Sequence, residues 1–367
     1  MAAVLLVSNG HGESAIAGRL ARELRALRAI DVDHLPLVFA GGDASLASVG
    51  PTAKMPSGGL VAMGNVRAFS RDLRAGFLRL FLAQVRFLRN ARGYDCVIAV
   101  GDVYALALAL LAGRPTLFVG TAKSAYVAEY GPFERFVLRR AQRIFVRDET
   151  TAAHLRARGV RAQAPGNVIV DLLDDDVDVA PQADIGILPG SREPAYEDGV
   201  ALGRVVRASG ARALFSIAPG LDEAAFARLL TGDGWAVTAG DAPTPLRAHD
   251  PSGAELIAWR GSLGALLRAV RLVIGQAGTA NEAAAACGVP VLALQTRSGG
   301  WYRMRQQRLL GDAIALIPAQ PQAAAAQVHA LLGDPARLSR MSAAGRERMG
   351  PPGGAHAIAE AALPWLL

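Results

Sequence analysis

Short apolar runs alternate with helix-patterned segments along the chain, in two separate series, and this alternation limits the fold more than any other feature. The first series opens at Ala3 to Ser8, passes through Asn-Gly-His-Gly at 9–12, and enters a segment with apolar residues at Ile16, Leu20, Leu24 and Leu27. That spacing is one face of a helix, so the reading is strand, glycine loop, helix. Runs at Val32 to Phe39, Cys96 to Val100, Thr116 to Val119 and Ile144 to Val146 continue the series, with Ala105 to Leu111 as an intervening helix. Strands that alternate with helices build parallel, doubly wound sheets. Near Pro165 the pattern stops, and the acidic stretch 171–181 has no periodic apolar face. A second series then runs through Ile185 to Leu188, Ala213 to Ile217, Glu255 to Trp259, Leu272 to Ile274, Pro290 to Leu294 and Ala313 to Ile317. The expected architecture is α/β: two tandem Rossmann-like domains at 1–165 and 183–350, a linker at 166–182, and a helix at 351–367 placed to pack back on the first domain.

Composition sets the class. A chain of 367 residues exceeds one ordinary core. With 51% apolar and 19% charged residues it is too apolar for a disordered chain. Two cysteines, Cys96 and Cys287, cannot supply a disulfide framework or a four-thiolate zinc site. The start MAAVLLVSNG lacks the basic region of a secretory signal, and no long uncharged apolar stretch suggests a membrane span, so a cytoplasmic protein is expected. The net charge of +7 points only weakly to anionic partners, because of 39 basic residues only Lys54 and Lys123 are lysine. Codon bias toward arginine produces the same total, so clustering carries the information instead.

Three loops carry chemistry. Gly10-His11-Gly12-Glu13-Ser14-Ala15 fits G-x-G-x-x-A after a strand, with Asp31 and Asp33 near the distance expected of a ribose-binding acid. A lone match is weak, and the bland reading is a tight strand-to-helix turn. The functional reading puts His11 on a loop at the carboxyl edge of the first sheet, where its pKa suits it to accept a proton from a hydroxyl. Glu13 is the competing base or the group that orients it.

In the second series, Pro189-Gly190-Ser191-Arg192 follows a strand with small residues, a hydroxyl and a guanidinium, the components of a diphosphate cradle. Gly275 to Glu282 (GQAGTANE) follows another strand and opens an Ala-rich helix whose N-terminal N–H groups can hold a phosphate, with Gly278, Thr279, Ala280 and Asn281 at its start. Glu282 can accept both hydroxyls of a ribose, or simply serve as an acid in a first helical turn. Farther on, Gln306 and Gln307 offer amides to sugar hydroxyls, although neighbours on a helix do not share a face, so at most one points to a ligand. A solvated polar helix is the alternative.

Together these segments resemble the GT-B glycosyltransferases, in particular lipid-A-disaccharide synthase and its relatives, over nearly the whole chain. LLVSNGHGES looks like that family's first strand and glycine loop, LVAMGNVRAF like its Met-Gly segment, ILPGSRE like its Leu-Pro-Gly-Ser-Arg motif, and AGTANEAAAACGVPVL like its Gly-Thr-Ala helix start. RQQ at 305–307 is similar instead to the peptidoglycan N-acetylglucosaminyltransferase. The resemblance implies two domains facing across a cleft, a UDP-sugar against the second, and transfer with inversion to an acceptor held by the first, without a metal or other cofactor. It places Gly190, Ser191, Arg192, Gly278 and Thr279 near the donor phosphates, and Gly10, Gly12, Met63, Gly64 and Arg67 on the acceptor side. There are departures. Ala283, not Glu282, aligns with the family's acidic position; where the family has an acid and a glutamine three apart, this chain has Arg303 and Gln306; and Gly101-Asp102-Val103-Tyr104 retains one acid, Asp102, as a further candidate for base or for orienting His11.

Arg67 to Arg92 carries seven arginines and one acid, interleaved with Phe69, Leu73, Phe77, Leu80, Phe81, Val85, Phe87 and Leu88. A basic helix with an apolar face can rest on anionic headgroups, which suits a lipid-like acceptor and a peripheral contact with the inner face of a membrane. Those apolar positions can equally pack onto the first sheet while the arginines face water. No nucleic-acid motif is present, and none of that partner class is expected. The expected activity is glycosyl transfer from a nucleotide diphosphate sugar to a hydroxyl. Nucleotide-sugar epimerisation on the same fold, and binding without catalysis, are the alternatives.

Overall fold

The computed structural model describes residues 2–38, 46–53, 55, 72–173, 179–191, 193–296 and 300–366. They form two compact units, Met1–Leu172 with Gly350–Leu367, and Leu173–Met349.

In the first unit β1 (Ala2–Ser8) leads through α1 (His11–Leu27) to β2 (Ile30–Pro36), a short edge strand β3 (Ala47–Ser48) and α2 (Phe77–Arg89). Then follow β4 (Cys96–Gly101), α3 (Val103–Ala109), β5 (Thr116–Gly120), α4 (Pro132–Leu138), β6 (Arg143–Val146) and β7 (Ala162–Gln163). The sheet order is β3-β2-β1-β4-β5-β6-β7, and every pair is parallel. Cys96 to Gly101 is buried at every position, the pattern of a strand covered on both faces. One cover is α1, whose Leu20, Ala21 and Leu24 have no exposed surface. The other is a core in which Leu88 of α2, Leu106 of α3 and Leu138 of α4 pack against Val97 and Ala99.

Strand order reverses between β1 and β4, and ligands of open parallel sheets bind at such a reversal, beyond the carboxyl ends of the strands. The run expected as a strand at Val32 to Phe39 is shifted, beginning at Ile30 and ending at Pro36, with Phe39 outside the described residues. The two-residue strands β3 and β7 are too short to leave a periodic signal.

The first unit closes on the chain's end. The buried Asp171 carboxylate accepts from the Gly353 N–H at 2.5 Å and the Ala355 N–H at 2.6 Å, capping the helix Gly354–Ala362. Asn167 N–H donates to the Pro351 carbonyl at 2.8 Å. Residues 166–172, expected in a linker, therefore form a buried one-turn helix of this unit, Val168–Asp171, with its flanks.

In the second unit β8 (Ile185–Leu188) leads through α5 (Ala195–Ser209) to β9 (Arg212–Ser216), β10 (Ala236–Ala239), β11 (Leu246–His249) and β12 (Glu255–Trp259). On the other side of β8 come β13 (Leu272–Gly275), α6 (Thr279–Ala286), β14 (Val291–Gln295), α7 (Gly300–Leu310) and β15 (Ile314–Pro318). The order is β10-β11-β12-β9-β8-β13-β14-β15. The β10–β11 and β11–β12 pairs are antiparallel, which corrects the expectation of a wholly parallel sheet. Short connections at 240–245 and 250–254 permit only antiparallel return, and β10 is exposed at three of four positions, leaving no apolar pattern to read. The reversal of strand order falls between β8 and β13, so the loops after those strands diverge there. Both loops are phosphate-type candidates in the sequence.

Candidate functional site

Each unit carries its own constellation at its own reversal point. In the first unit, Gly10 follows β1 at φ 126° and Gly101 ends β4 at φ 132°, a backbone region that side chains disfavour. The Glu13 side chain lies across both glycines: a methyl at Gly10 would stand 2.7 Å from its Oε2, and one at Gly101 3.2 Å from its Cγ. The hydroxyl of Thr121, just beyond β5, donates to Glu13 Oε1 at 3.2 Å. Asp102 caps α3 by accepting from the Ala105 N–H at 3.1 Å, and its other oxygen accepts from Asn9 Nδ2 at 3.2 Å. Burial raises the Asp102 pKa, and the hydrogen bonds from Ala105 and Asn9 only partly oppose that. A carboxylate so placed is a stronger proton acceptor than one in water.

His11 is the first residue of α1, and the role expected of its side chain lies outside the described residues. Gly12 has open space around its Cα, consistent with a close approach from outside. Met63, Gly64 and Arg67 lie outside the described residues. Beneath the loop, Ser8 Oγ meets His34 Nε2 at 2.8 Å and Ser14 Oγ at 3.1 Å, and Ser14 donates to the Gly10 carbonyl at 2.9 Å. Sequence reasoning missed this buried support, because the partners come from three elements and follow no motif.

Asp31 pairs in register with Ala3 near the amino end of β2, and Asp33 with Leu5 at its middle, both short of the carboxyl edge. Asp33 accepts from the Tyr94 hydroxyl at 2.7 Å. Neither acid is therefore near Gly10, and the dinucleotide fingerprint lacks its ribose partner.

In the second unit, Gly190 stands at φ 124° two residues past β8, and Ser191 is exposed beside it. Arg192 lies outside the described residues. The loop after β13 folds back against the end of β8, with Gln276 and Ala277 N–H groups donating to the Leu188 carbonyl at 2.9 and 3.1 Å. Gly278 precedes α6 as its N-cap with no side-chain cap, so the cap residue's side chain does not serve the first amides of that helix, which have no acceptor within the helix. Thr279 is exposed, Ala280 half-buried, and the Tyr302 hydroxyl sits where a methyl at Gly278 would go.

The side chains behind this loop are engaged with it. Asn281 has no exposed surface; its Nδ2 donates to the Gly275 carbonyl at 3.1 Å and to Gln306 Oε1 at 3.2 Å. Gln306 is 4% exposed, and its Nε2 donates to the carbonyls of Ala277 and Gly278 at 3.1 and 3.2 Å. Gln307 is exposed on a different side of α7, as neighbours on a helix must be. Glu282 is half-buried in the first turn of α6, while Ala283 is buried in the core beneath it. Arg303, 6% exposed, donates to the Gln276 carbonyl at 2.7 Å and to Gln306 Oε1 at 3.1 Å. Burial lowers its pKa, opposed by Tyr302 and by Asp198 of α5.

The two constellations differ in what they can do: the first offers carboxylates to a proton, the second offers backbone donors to an anion. Among the described residues no group of three or more His, Cys, Asp or Glu side chains could hold a metal ion.

No protein-family profile matches the chain, and no curated protein matches it in sequence. Solved structures do match in fold. A putative UDP-N-acetylglucosamine 2-epimerase from Listeria monocytogenes is 14% identical with a TM-score of 0.62, over 99% of this chain and 96% of that one. MurG of Acinetobacter baumannii is 13% identical with a TM-score of 0.57, over 99% of this chain and 100% of that one. UGT2 of Phytolacca americana, complexed with UDP-2fluoro-glucose and pterostilbene, is 13% identical with a TM-score of 0.59, over the whole of both chains (100% and 100%). The chain thus has the two-sheet α/β fold of GT-B glycosyltransferases and UDP-N-acetylglucosamine 2-epimerases.

Proposed function

We propose that the protein is a glycosyltransferase that moves a sugar from a UDP-sugar to a hydroxyl of a lipid-like acceptor at a membrane surface. The observation that carries this reading is the loop pair at the reversal point of the second sheet. Gly190 and Ser191 after β8 lie beside the uncapped start of α6 after β13, two anion-receptive backbones that a diphosphate can bridge. Arg192, next in the chain, adds a guanidinium to the same loop. As the bond from the anomeric carbon to the diphosphate breaks, negative charge grows on the leaving oxygens, and donors fixed in advance stabilise it where it develops.

The acceptor chemistry belongs to the first unit. Asp102 takes the proton from the attacking hydroxyl as that oxygen bonds to the anomeric carbon, and Glu13, fixed across Gly10 and Gly101, is its rival for the role. The lipid-like acceptor is supported by α2. Its buried side carries Leu80 and Leu88, but Leu78 and Leu82 are 59% and 58% exposed, on one stripe with Arg86 and flanked by Arg79 and Arg89. Leucines facing outward among arginines suit an anionic lipid surface better than water. Among the described residues no helix is long and apolar enough to cross a membrane. A surface contact is therefore the form proposed.

Epimerisation is the second reading, favoured by the Listeria neighbour and by an acid at Asp102 that can equally move a proton on a bound sugar. Product analysis separates the two. Incubation with a panel of UDP-sugars, with and without a polyprenyl or diacylglycerol acceptor, should release UDP only when acceptor is present. A changed UDP-sugar formed without acceptor would overturn the transferase reading in favour of the epimerase.

A further inference from the structure

Three consecutive carbonyls of the β13–α6 loop, those of Gln276, Ala277 and Gly278, accept from α7, and the last also accepts from the Asn281 and Glu282 N–H groups of its own helix. Arg303 holds the first at 2.7 Å, and Gln306 holds the second and third at 3.1 and 3.2 Å. Arg303 also donates to Gln306 Oε1 at 3.1 Å, which leaves the Gln306 Nε2 group to face the loop. The guanidinium, with the Asn281 amide that meets the same oxygen at 3.2 Å, thus sets the orientation of the Gln306 amide as well as its own contact.

In a trans peptide unit the C=O and the following N–H point in opposite directions. Carbonyls drawn toward α7 therefore turn the next N–H groups, of Ala277, Gly278 and Thr279, away from it. The first of these shows the result, since the Ala277 N–H meets the Leu188 carbonyl at the end of β8 at 3.1 Å. The next two fall at the uncapped start of α6. The charge of Arg303 also acts on Asp198 in α5, the helix that follows Gly190 and Ser191. The buried guanidinium brings a full positive charge behind this backbone, at a position where the sequence resemblance would place an acid.

We propose that Arg303, acting through Gln306, is the positioning residue that aims the Gly278 and Thr279 amides at the diphosphate of the donor. This rests on the nucleotide-sugar reading given above. Arg303 touches no substrate. It fixes the direction of the donors, and its charge adds to the attraction for a second phosphate group more than for a first.

The test compares UDP with UMP by titration calorimetry on wild type, Arg303→Gln, Arg303→Lys and Gln306→Met, with melting temperatures recorded for each. Wild type should prefer UDP over UMP. Arg303→Gln should weaken UDP binding at least tenfold and UMP binding less than threefold, so that the preference collapses. Arg303→Lys should restore part of it by restoring the charge, and Gln306→Met, which spares the Gln276 contact, should lose a few-fold for UDP alone. A UDP preference unchanged in Arg303→Gln or, should that variant not fold, in both Arg303→Lys and Gln306→Met, would overturn the inference even if melting temperatures fell. A wild type that binds neither UDP nor GDP nor TDP would instead overturn the nucleotide-sugar reading beneath it.

Discussion

The carboxyl edges of the two sheets are built alike and furnished with different side chains. Each has its reversal of strand order, and each has a glycine at φ between 124° and 132° where the chain leaves a strand. Beyond that, the first edge is lined by Glu13 and Asp102, tied to Thr121 and Asn9, while the second has uncapped amides with Arg303 buried behind them. Under the proposed function, the same topology prepares one edge to receive a proton and the other to receive an anion. Topology fixes where a site forms; the few side chains at the reversal decide which chemistry it performs.

The strongest way to break this division is Asp102→Asn. Removal of a general base slows turnover by about 10²- to 10⁴-fold. If the edges divide the labour as proposed, turnover falls by that amount while the UDP affinity measured by calorimetry stays within twofold. The companion variant Glu13→Gln should lose less than tenfold, and the opposite ranking would exchange the two roles.

A second test strikes the anion edge through its backbone. Ala at position 190 must adopt a φ that side chains rarely tolerate, a strain of about 1–3 kcal/mol. Gly190→Ala should lose roughly ten- to hundredfold in UDP affinity by calorimetry, and normal binding would show that this turn does not shape the anion site.

The outward face of α2 gives a smaller effect. Replacing both Leu78 and Leu82 by Ser removes two exposed apolar side chains and should weaken sedimentation with phosphatidylglycerol vesicles about tenfold while leaving solution UDP binding unchanged. Equal sedimentation of variant and wild type would remove the lipid-surface role of this stripe.

The smallest effect concerns pH. Burial raises the Asp102 pKa above its unfolded value, so the folded state holds that proton more tightly. The resulting contribution to stability is present below the unfolded carboxyl pKa and lost as pH rises through the folded one. Asn is an equally good helix cap without the charge. Asp102→Asn should therefore raise the melting temperature by a few degrees at pH 7.5, with the gain shrinking toward pH 4. A gain that does not vary with pH would mean that burial of the charge is not its source.

Much of this was legible in the sequence because strands buried on both faces write themselves as continuous apolar runs, as Cys96 to Gly101 and Ile185 to Leu188 do. The turn at Gly190 and the helix start at Gly278 were legible for a similar reason: small residues between a strand and a helix leave few other conformations. The edge strand β10 was not, since three of its four positions are exposed, and in β11 only Leu246 and Ala248 are buried, an alternation too short to stand out. Arg303 stands out in the sequence only as a departure from an expected acid. The clamp that it forms with Gln306 depends on carbonyls 27 to 29 residues earlier in the chain, and a carbonyl has no letter in the sequence. The Ser8–His34–Ser14 support escaped for the same reason, since residues from three elements meet only after the sheet has formed.

Hydrogen–deuterium exchange of the whole chain with saturating UDP tests the central claim most directly. The account predicts slowed exchange at 188–191 and 276–282 in the second unit, with 9–13 and 101–105 of the first unit unchanged by UDP alone. Protection confined to the first unit, or none with UDP, GDP or TDP, would contradict it.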